Sequence, residues 1–347
     1  MSRLKRLKRL KRPYVTVVIT TVAIAAALVA VLRPDGQRER TSFGGPEQTG
    51  QATQQARAHQ GTDGVRLPTN PREWETQRTL ADGTTIGVTT LHGAKSGFTG
   101  KVWVWAPKEY KDPKYAHSAF PVLIALPGSY GFPNNYWWGT DFALQEKVAQ
   151  AVAQGRSKPY IIVMPVQNPN RDNYYDGADI PGQPKMGTWM SEDVPELVKE
   201  NFRTFASPSA WGFFGSSSGG YIGIKTALQH PDRFGFAIAG GPDTFPDSPL
   251  WNGHEKEKQA DNPEQLAADL IRRGGPVKVR ITMLMGDKET RDLPRIKDFI
   301  ARYDKGPVAL GLHMIANAGH DGYKYGAALF DGPLEQISRY VPGPTAG

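Results

Sequence analysis

The chain of 347 residues contains no cysteine. That absence excludes disulfide bonds, a thiol nucleophile and metal sites built from thiolates. A covalent nucleophile must therefore be another side chain, and the core must be stable without cross-links. Histidine is scarce, with 7 in the whole chain, so few residues are candidates for a general base.

Most of the chain also lacks an excess of charge of either sign. The formal net charge is +8, from 42 Lys and Arg against 34 Asp and Glu. Seven of the basic residues lie in residues 1–13, and without them 35 basic residues face 34 acidic ones. Nucleic-acid binding needs many cations to neutralise phosphates, so we predict no nucleic-acid partner.

One apolar run stands out near the N-terminus. Residues 14–32 are 19 residues without a charged side chain, directly after the basic tail of residues 1–13. A bilayer-spanning helix needs about 20 apolar residues, and a signal-peptide core only about 7–15. We predict a transmembrane signal anchor at 14–32, with the tail in the cytoplasm and the rest of the chain extracytoplasmic. The alternative is a long signal peptide whose cleavage gives a secreted protein.

A change of composition separates the anchor from the remaining chain. Residues 33–70 are rich in Gln, Gly, Thr and Arg, and we predict a flexible linker there, followed by a domain at 71–347. Strand and helix patterns alternate in that domain. The first strands, 85–92 and 100–107, alternate apolar and polar residues, whereas 120–128 and 160–166 are continuous apolar runs. We predict an α/β fold with a mostly parallel central sheet, helices on both faces and antiparallel leading strands.

The sequence WGFFGSSSGGY at residues 211–221 joins a predicted strand to a predicted helix. Residues 215–219 match G-x-S-x-G with Ser217 at the centre. At a strand-to-helix junction this pattern indicates a sharp turn that presents the serine hydroxyl above the sheet edge. The glycines leave room where strand and helix cross. We therefore predict that Ser217 is a nucleophile.

A serine nucleophile needs a base and an acid that orients the base. His320 is the one histidine in a loop after the last predicted strand, in ANAGHDGY, so we predict that it is the general base. The loop after the preceding strand, MGDKETRD, offers three acids. Glu289 is favoured because it follows the strand end by three residues, while Asp292 and Asp287 remain alternatives.

Acyl transfer through a serine also needs hydrogen-bond donors for the oxyanion of the tetrahedral intermediate. We predict the backbone N–H of Ser218 and of Ser129, the latter in LPGSYG with Gly128 as the turn residue. Two insertions after strand ends, 167–189 and 242–263, are predicted to shape the pocket. Both mix aromatic with polar residues.

The residues now assembled resemble a known family. The segments FPVLIALPGSYG, GFFGSSSGGYIGIKTALQHPDRFGFAIAGG, MGDKE and AGHDGY are similar to the esterase D-like putative esterase family, which includes bacterial mycolyltransferases and feruloyl-esterase-like enzymes. The resemblance runs from about residue 80 to residue 340. It implies an α/β-hydrolase fold, serine esterase or acyltransferase chemistry, and neither metal nor cofactor. It carries the nucleophile onto Ser217 and the base onto His320.

These observations predict a membrane-anchored extracytoplasmic serine esterase that forms an acyl-Ser217 intermediate. The expected substrate is a small-molecule or cell-envelope ester. One alternative is an acyltransferase that moves the acyl group to a sugar acceptor. Another is a catalytically silent hydrolase fold that serves as an envelope binding protein.

Overall fold

Ten strands form one sheet in the computed structural model, which describes residues 39–44 and 64–347. The predicted basic tail, the predicted anchor at 14–32 and most of the predicted linker lie outside those residues. Within the described ranges, no helix is both long and apolar enough to cross a bilayer.

The strands are β1 (Arg40–Ser42), β2 (Val65–Arg66), β3 (Glu73–Thr79), β4 (Thr85–His92), β5 (Thr99–Trp105), β6 (Val122–Leu126), β7 (Ile161–Pro165), β8 (Thr204–Phe205), β9 (Trp211–Ser216), β10 (Phe236–Gly240), β11 (Val279–Gly286) and β12 (Val308–Ile315). The α-helices are α1 (Leu144–Ala153), α2 (Met186–Thr188), α3 (Val194–Asn201), α4 (Ser218–Gln229), α5 (Glu255–Ala260), α6 (Pro263–Arg273), α7 (Leu293–Tyr303), α8 (Gly322–Ala328) and α9 (Pro333–Ser338). A π-helical turn, Trp189–Asp193, joins α2 to α3.

The large sheet has the strand order β1–β3–β4–β5–β7–β6–β9–β10–β11–β12. From β7 to β12 the neighbours in this order are parallel, and from β1 to β7 they are antiparallel. The mostly parallel sheet confirms the predicted fold class. The antiparallel part has four strands rather than the two predicted. The strand β3 escaped prediction because its sequence EWETQRT has a single large apolar residue, Trp74.

The central parallel strands are buried along their whole length. Every residue of β6, β7, β9 and β10 is buried. Strands read as continuous apolar runs when helices cover both faces, which is why these four were recognisable in the sequence.

Two short pieces of the predicted linker belong to the fold. Arg40–Ser42 pairs with β3, and Val65–Arg66 pairs with β8 in a separate small sheet. The side chain of Phe43 is buried against Trp74 and Phe202, with ring centroids 5.9 and 5.1 Å away. The linker prediction depended on the average composition of residues 33–70. An average does not show that a single aromatic side chain, Phe43, packs in the core.

The parallel strands end at one edge of the sheet. The segments that follow β6, β9, β11 and β12 at this edge carry Ser129, Ser217, Glu289 and His320, respectively. Ligand sites of α/β sheets lie at the carboxyl ends of the strands, so the topology brings these four residues to the edge where a site is expected.

Candidate active site

Ser217 lies in a strained turn between β9 and α4. Its backbone has φ 52° and ψ −122°, a region that non-glycine residues rarely occupy. The turn is held in place because the Ser217 N–H donates to the Gly240 carbonyl at 2.6 Å. Helix α4 begins at the next residue, and its N-terminal dipole favours negative charge beside the serine.

The glycines of the motif allow helix α4 to start against the sheet. A Cβ on Gly219 would collide with the carbonyl oxygens of Leu126 and Pro127, at the end of β6. A Cβ on Gly215 would collide with the backbone of Gly219 itself. Packing at this turn therefore requires glycine at both ends of GSSSG, and the same turn exposes Ser217.

His320 reaches the serine from the loop after β12. Its Nε2 lies 3.0 Å from Ser217 Oγ, and its side chain is half-exposed. Gly241, whose φ is 55°, lies near Cε1 of the ring; a Cβ there would meet this atom and the hydroxyl of Tyr325. The position of the imidazole thus depends on a glycine at residue 241.

Glu289 is the acid in contact with the histidine. Its Oε2 lies 3.0 Å from His320 Nδ1, and its Oε1 accepts the Gly286 N–H at 2.6 Å. In return the Glu289 N–H donates to the Gly286 carbonyl at 3.1 Å, which closes a tight turn just past β11. The carboxyl side chain is only 2% exposed. Both of its oxygens are therefore committed, one to the backbone and one to the imidazole.

The other candidate acids have different partners. Asp287 accepts the N–H groups of Asn317 and Ala318 at 2.9 and 3.1 Å, and so braces the loop that carries His320. Asp292 pairs with its neighbour Arg291 at 2.9 Å, at the start of α7. The structure therefore brings Glu289, rather than either alternative, into contact with the imidazole.

These contacts shift the pKa values of both partners in the direction a base requires. The hydrogen bond to Glu289 raises the pKa of His320, although partial burial acts against it. Burial alone would raise the pKa of Glu289, but hydrogen bonds from His320, Tyr325 and the Gly286 N–H outweigh it and hold that pKa below its ordinary value. An ionised Glu289 favours the tautomer with its proton on Nδ1, which leaves Nε2 free to accept the Ser217 proton.

The two residues predicted to supply the oxyanion donors are in contact with each other. The Ser218 hydroxyl donates to the Ser129 carbonyl at 2.6 Å, and the Gln167 amide donates to the same carbonyl at 2.9 Å. In this loop Ser129 and Gly131 have left-handed backbones, with φ 59° and 53°, whereas Gly128, the predicted turn residue, does not. A Cβ on Gly128 would lie 3.2 Å from Ser216 Oγ, which is a tight contact.

The aromatic residues after that loop serve the framework. The Tyr136 hydroxyl accepts the Gly128 N–H at 2.5 Å and contacts Ser216 Oγ at 2.6 Å. Trp137 is completely buried, and Trp138 stacks on Trp103 of β5. Tyr136 thus joins the first loop to the serine turn, and the tryptophans pack in the core.

A cavity of about 160 Å³ lies against Ser217 and Ser218. The two long insertions supply much of its lining, as predicted. The lining residues from these insertions are Asn168, Tyr174, Asp176, Asp243 and Asp247. No cluster of three or more His, Asp or Glu side chains in the described ranges is arranged to hold a metal ion.

Two residues of the site were missed by the sequence reasoning. Gln167 lies two residues past the end of β7, and a polar residue at the carboxyl end of a buried parallel strand is a signal that would have found it. The Tyr325 hydroxyl lies 3.2 Å from His320 Nδ1, and only its position five residues after the histidine hints at this contact.

The fold and these contacts define the class. The sheet is mostly parallel, and a serine at a strand-to-helix turn contacts an imidazole that in turn contacts a carboxylate. This combination is typical of serine-type α/β-hydrolases. The "putative esterase" family model matches residues 97–322, well over half of the chain. The chain belongs to this family, as the resemblance predicted, and its class is that of a serine hydrolase or acyltransferase.

The chain is also similar to individual proteins. The chain is 25% identical over 194 residues to an uncharacterized protein of Corynebacterium glutamicum, a match that covers 53% of this chain and 44% of that one. It is 30% identical over 79 residues to the MPT51 antigen of Mycobacterium leprae, covering 23% of this chain and 26% of the antigen. The match thus spans less than half the length of either relative. Among solved structures, a ferulic acid esterase is similar in fold, with a TM-score of 0.59, 18% identity and coverage of 74% of this chain and 98% of its own.

Proposed function

We propose that this protein is a serine esterase that cleaves a carboxylic ester through an acyl-Ser217 intermediate. The observation that carries the proposal is the unbroken contact from Ser217 Oγ to His320 Nε2 and from His320 Nδ1 to Glu289, at 3.0 Å each. Nucleophile, base and orienting acid at these distances are what serine acyl transfer requires.

In the proposed reaction, His320 accepts or donates the proton at each step. Ser217 Oγ attacks the ester carbonyl carbon while His320 Nε2 takes the hydroxyl proton. The N–H groups of Ser218 and Ser129 are the proposed donors to the resulting oxyanion. His320 gives its proton to the departing alcohol, and the acyl group stays on Ser217. A water molecule then attacks the acyl carbon and passes a proton to His320. His320 returns that proton to Ser217 Oγ as the bond to the acyl carbon breaks, which releases the carboxylic acid and restores the serine hydroxyl.

A fluorophosphonate probe on the full-length protein tests the nucleophile. We expect an adduct on Ser217 by mass spectrometry and its loss in Ser217→Ala. The neighbouring Ser216→Ala is the control, because Ser216 is buried against Tyr136 and should leave the Ser217 adduct in place. Absence of an adduct on folded wild-type protein would contradict the proposal and favour a silent binding protein.

The same intermediate is compatible with acyl transfer to a sugar acceptor in place of water. Incubation of the enzyme with an ester and a sugar acceptor, followed by mass spectrometry of the products, distinguishes the two reactions. Free acid as the only product assigns hydrolysis, and an acylated sugar assigns transfer.

We further propose that residues 14–32 anchor the enzyme in the cell membrane with its catalytic domain outside. The seven basic residues before this uncharged stretch support that orientation. Membrane fractionation of the native cells, followed by protease treatment of intact spheroplasts, tests it. Protein found in the medium with a new N-terminus beyond residue 32 would instead assign a cleaved signal peptide.

A further inference from the structure

The cavity beside Ser217 is unusually acidic. Three of its nine lining residues, Asp176, Asp243 and Asp247, are acids, and none of the nine is basic. The acids come from two separate insertions, so their proximity is a product of the fold. At about 160 Å³ the cavity is smaller than the roughly 300–1,000 Å³ of pockets for drug-sized ligands, so it fits a short chain next to the scissile bond.

Asp176 is the deepest of these acids. It is 5% exposed, and its Oδ2 accepts the Trp251 indole N–H at 2.7 Å and the Ser248 N–H at 3.2 Å. Its backbone has φ 52°, a conformation that costs free energy in a residue with a side chain. Two neutral donors hold the carboxylate in place, and neither neutralises its charge.

The nearby cations do not fully neutralise the cluster. Asp243 Oδ1 is 3.8 Å from Arg295 Nη1, a distance beyond hydrogen bonding, and Asp247 is exposed. The buried Lys225 donates to the Gly177 carbonyl, next to Asp176 in the chain, and lies 3.3 Å from Asp261, so its ion pair is with a carboxylate that does not line the cavity. Burial, and then the charge of Asp247, raise the pKa of both Asp176 and Asp243, which is expected when carboxylates lack a close cation.

A second feature of the cavity is independent of these charges. Tyr221 of α4 lines it, is 5% exposed, and its hydroxyl has no hydrogen-bond partner within the described chain. Buried hydroxyls are nearly always paired, so an unpaired one beside a cavity indicates a position where a ligand group completes the bond. The Tyr174 ring, stacked on Tyr130, adds an aromatic wall of the kind that suits cations.

We infer that this cavity binds a positively charged group of the ester, an ammonium on a short chain attached to the acyl or the alcohol part. The inference rests on the proposed esterase function and names the substrate class of that site. A cation supplies the charge that the three carboxylates lack, and an ammonium N–H finds an acceptor in the Tyr221 hydroxyl. A neutral alkyl or aryl group would leave the charge of the buried Asp176 without compensation.

Two pairs of esters with nearly equal shape test the inference on the full-length enzyme. One pair varies the alcohol, 4-aminobutyl butyrate against its carbon analogue pentyl butyrate. The other varies the acyl part, the p-nitrophenyl ester of ε-aminocaproate against that of heptanoate. In at least one pair we expect the kcat/KM of the cationic ester to exceed that of the neutral one by about tenfold or more, as an ion pair in a partly buried site would give. Added salt should reduce this preference.

Variants connect the preference to the cavity. Asp247→Asn changes an exposed side chain, and Asp176→Asn keeps the size of the buried one. Each should lower the cationic-to-neutral ratio several-fold, through a loss of kcat/KM for the cationic ester, with circular dichroism to verify folding. The matched control is Asp172→Asn, an exposed acid of the same insertion that does not line the cavity; it should leave the ratio unchanged.

The outcomes separate this inference from the proposed function. Labelled Ser217 with a ratio near one in both pairs would overturn the cationic substrate and keep the esterase. A ratio that stays high in both Asp176→Asn and Asp247→Asn would place the cation site elsewhere and also overturn it. Failure of labelling in wild type would overturn the esterase itself.

Discussion

Replacing Glu289 by glutamine should nearly abolish turnover while preserving the fold. The two carboxylate oxygens serve different donors, the Gly286 N–H at 2.6 Å and His320 Nδ1 at 3.0 Å. Glutamine has one acceptor oxygen, so one donor must lose its partner. If the oxygen stays on Gly286, the amide NH₂ faces Nδ1 and favours the tautomer whose proton blocks Nε2. If the oxygen turns to His320, the Gly286 N–H is left unpaired at a cost of about 1–3 kcal/mol.

The expected size of the effect follows from these two outcomes. Loss of a charge-assisted hydrogen bond is worth about 1.5–3 kcal/mol, and a wrong tautomer in a serine triad costs about 10⁴ in kcat. We therefore expect kcat of Glu289→Gln to fall by about 10²- to 10⁴-fold with little change in KM. Steady-state kinetics on a p-nitrophenyl ester, with circular dichroism to verify folding, measures this.

The pH dependence provides an independent readout of the same contact. His320 must be neutral to accept a proton, so kcat/KM falls as the pH drops through its pKa, which Glu289 holds above its ordinary value. Removing the carboxylate charge removes that support. The acidic limb of the pH profile should therefore move to lower pH in Glu289→Gln.

The neighbouring acids are the controls that can refute this reasoning. Asp292→Asn alters an exposed pair with Arg291 and should change kcat by no more than about threefold. Asp287→Asn weakens the brace on the His320 loop and should have an intermediate effect without moving the acidic limb. A loss in Asp292→Asn as large as in Glu289→Gln, or an unmoved limb in Glu289→Gln, would show that another acid orients the histidine.

Three further predictions concern stability and are measured by chemical or thermal unfolding. Gly219→Ala places a Cβ against two carbonyl oxygens and should lower the free energy of unfolding by about 1–3 kcal/mol. The control Gly311→Ala, whose Cβ would have its nearest atom 3.8 Å away, should lower it by less than about 1 kcal/mol. Equal losses in the two variants would contradict the packing argument. Lys225→Met leaves Asp261 buried without its cation and should cost about 3–5 kcal/mol, and adding Asp261→Asn should recover part of that loss. Burial raises the pKa of Asp176 from 3.8 to about 6, so between these pH values the folded state holds a proton that the unfolded state releases. The free energy of unfolding therefore falls as the pH rises across that range. Asp176→Asn should be more stable than wild type near neutral pH by up to about 3 kcal/mol and should lose that advantage below about pH 4.

The central sheet could be predicted from the sequence because a strand buried on both faces has a continuous run of apolar residues. The strands β6, β7, β9 and β10 are continuous apolar runs, and helical periodicity separates them. From that order it follows that residues just after β9, β11 and β12 meet at one edge. Ser217 and His320 were therefore proposed as partners although 103 residues separate them, and their side chains are in contact. Strands β1 and β3, at the antiparallel end of the sheet, have no such pattern, because each contributes or adjoins a single large aromatic side chain, Trp74 in β3 and Phe43 after β1.

What the sequence by itself determined is thus the fold class, the serine turn and the histidine, since each depends on a local pattern and its place in the strand order. The sequence favoured Glu289 over Asp287 and Asp292, but only the tertiary structure showed that Glu289 contacts the imidazole, because the three acids lie within six residues and their side chains have different partners. It alone brought Asp176 and Asp247 to one cavity. The loops that carry them have no repeating pattern, and their paths depend on contacts with distant parts of the chain, such as the hydrogen bond from the Trp251 indole to Asp176. Side-chain direction and loop path arise from such packing, which no short stretch of sequence records.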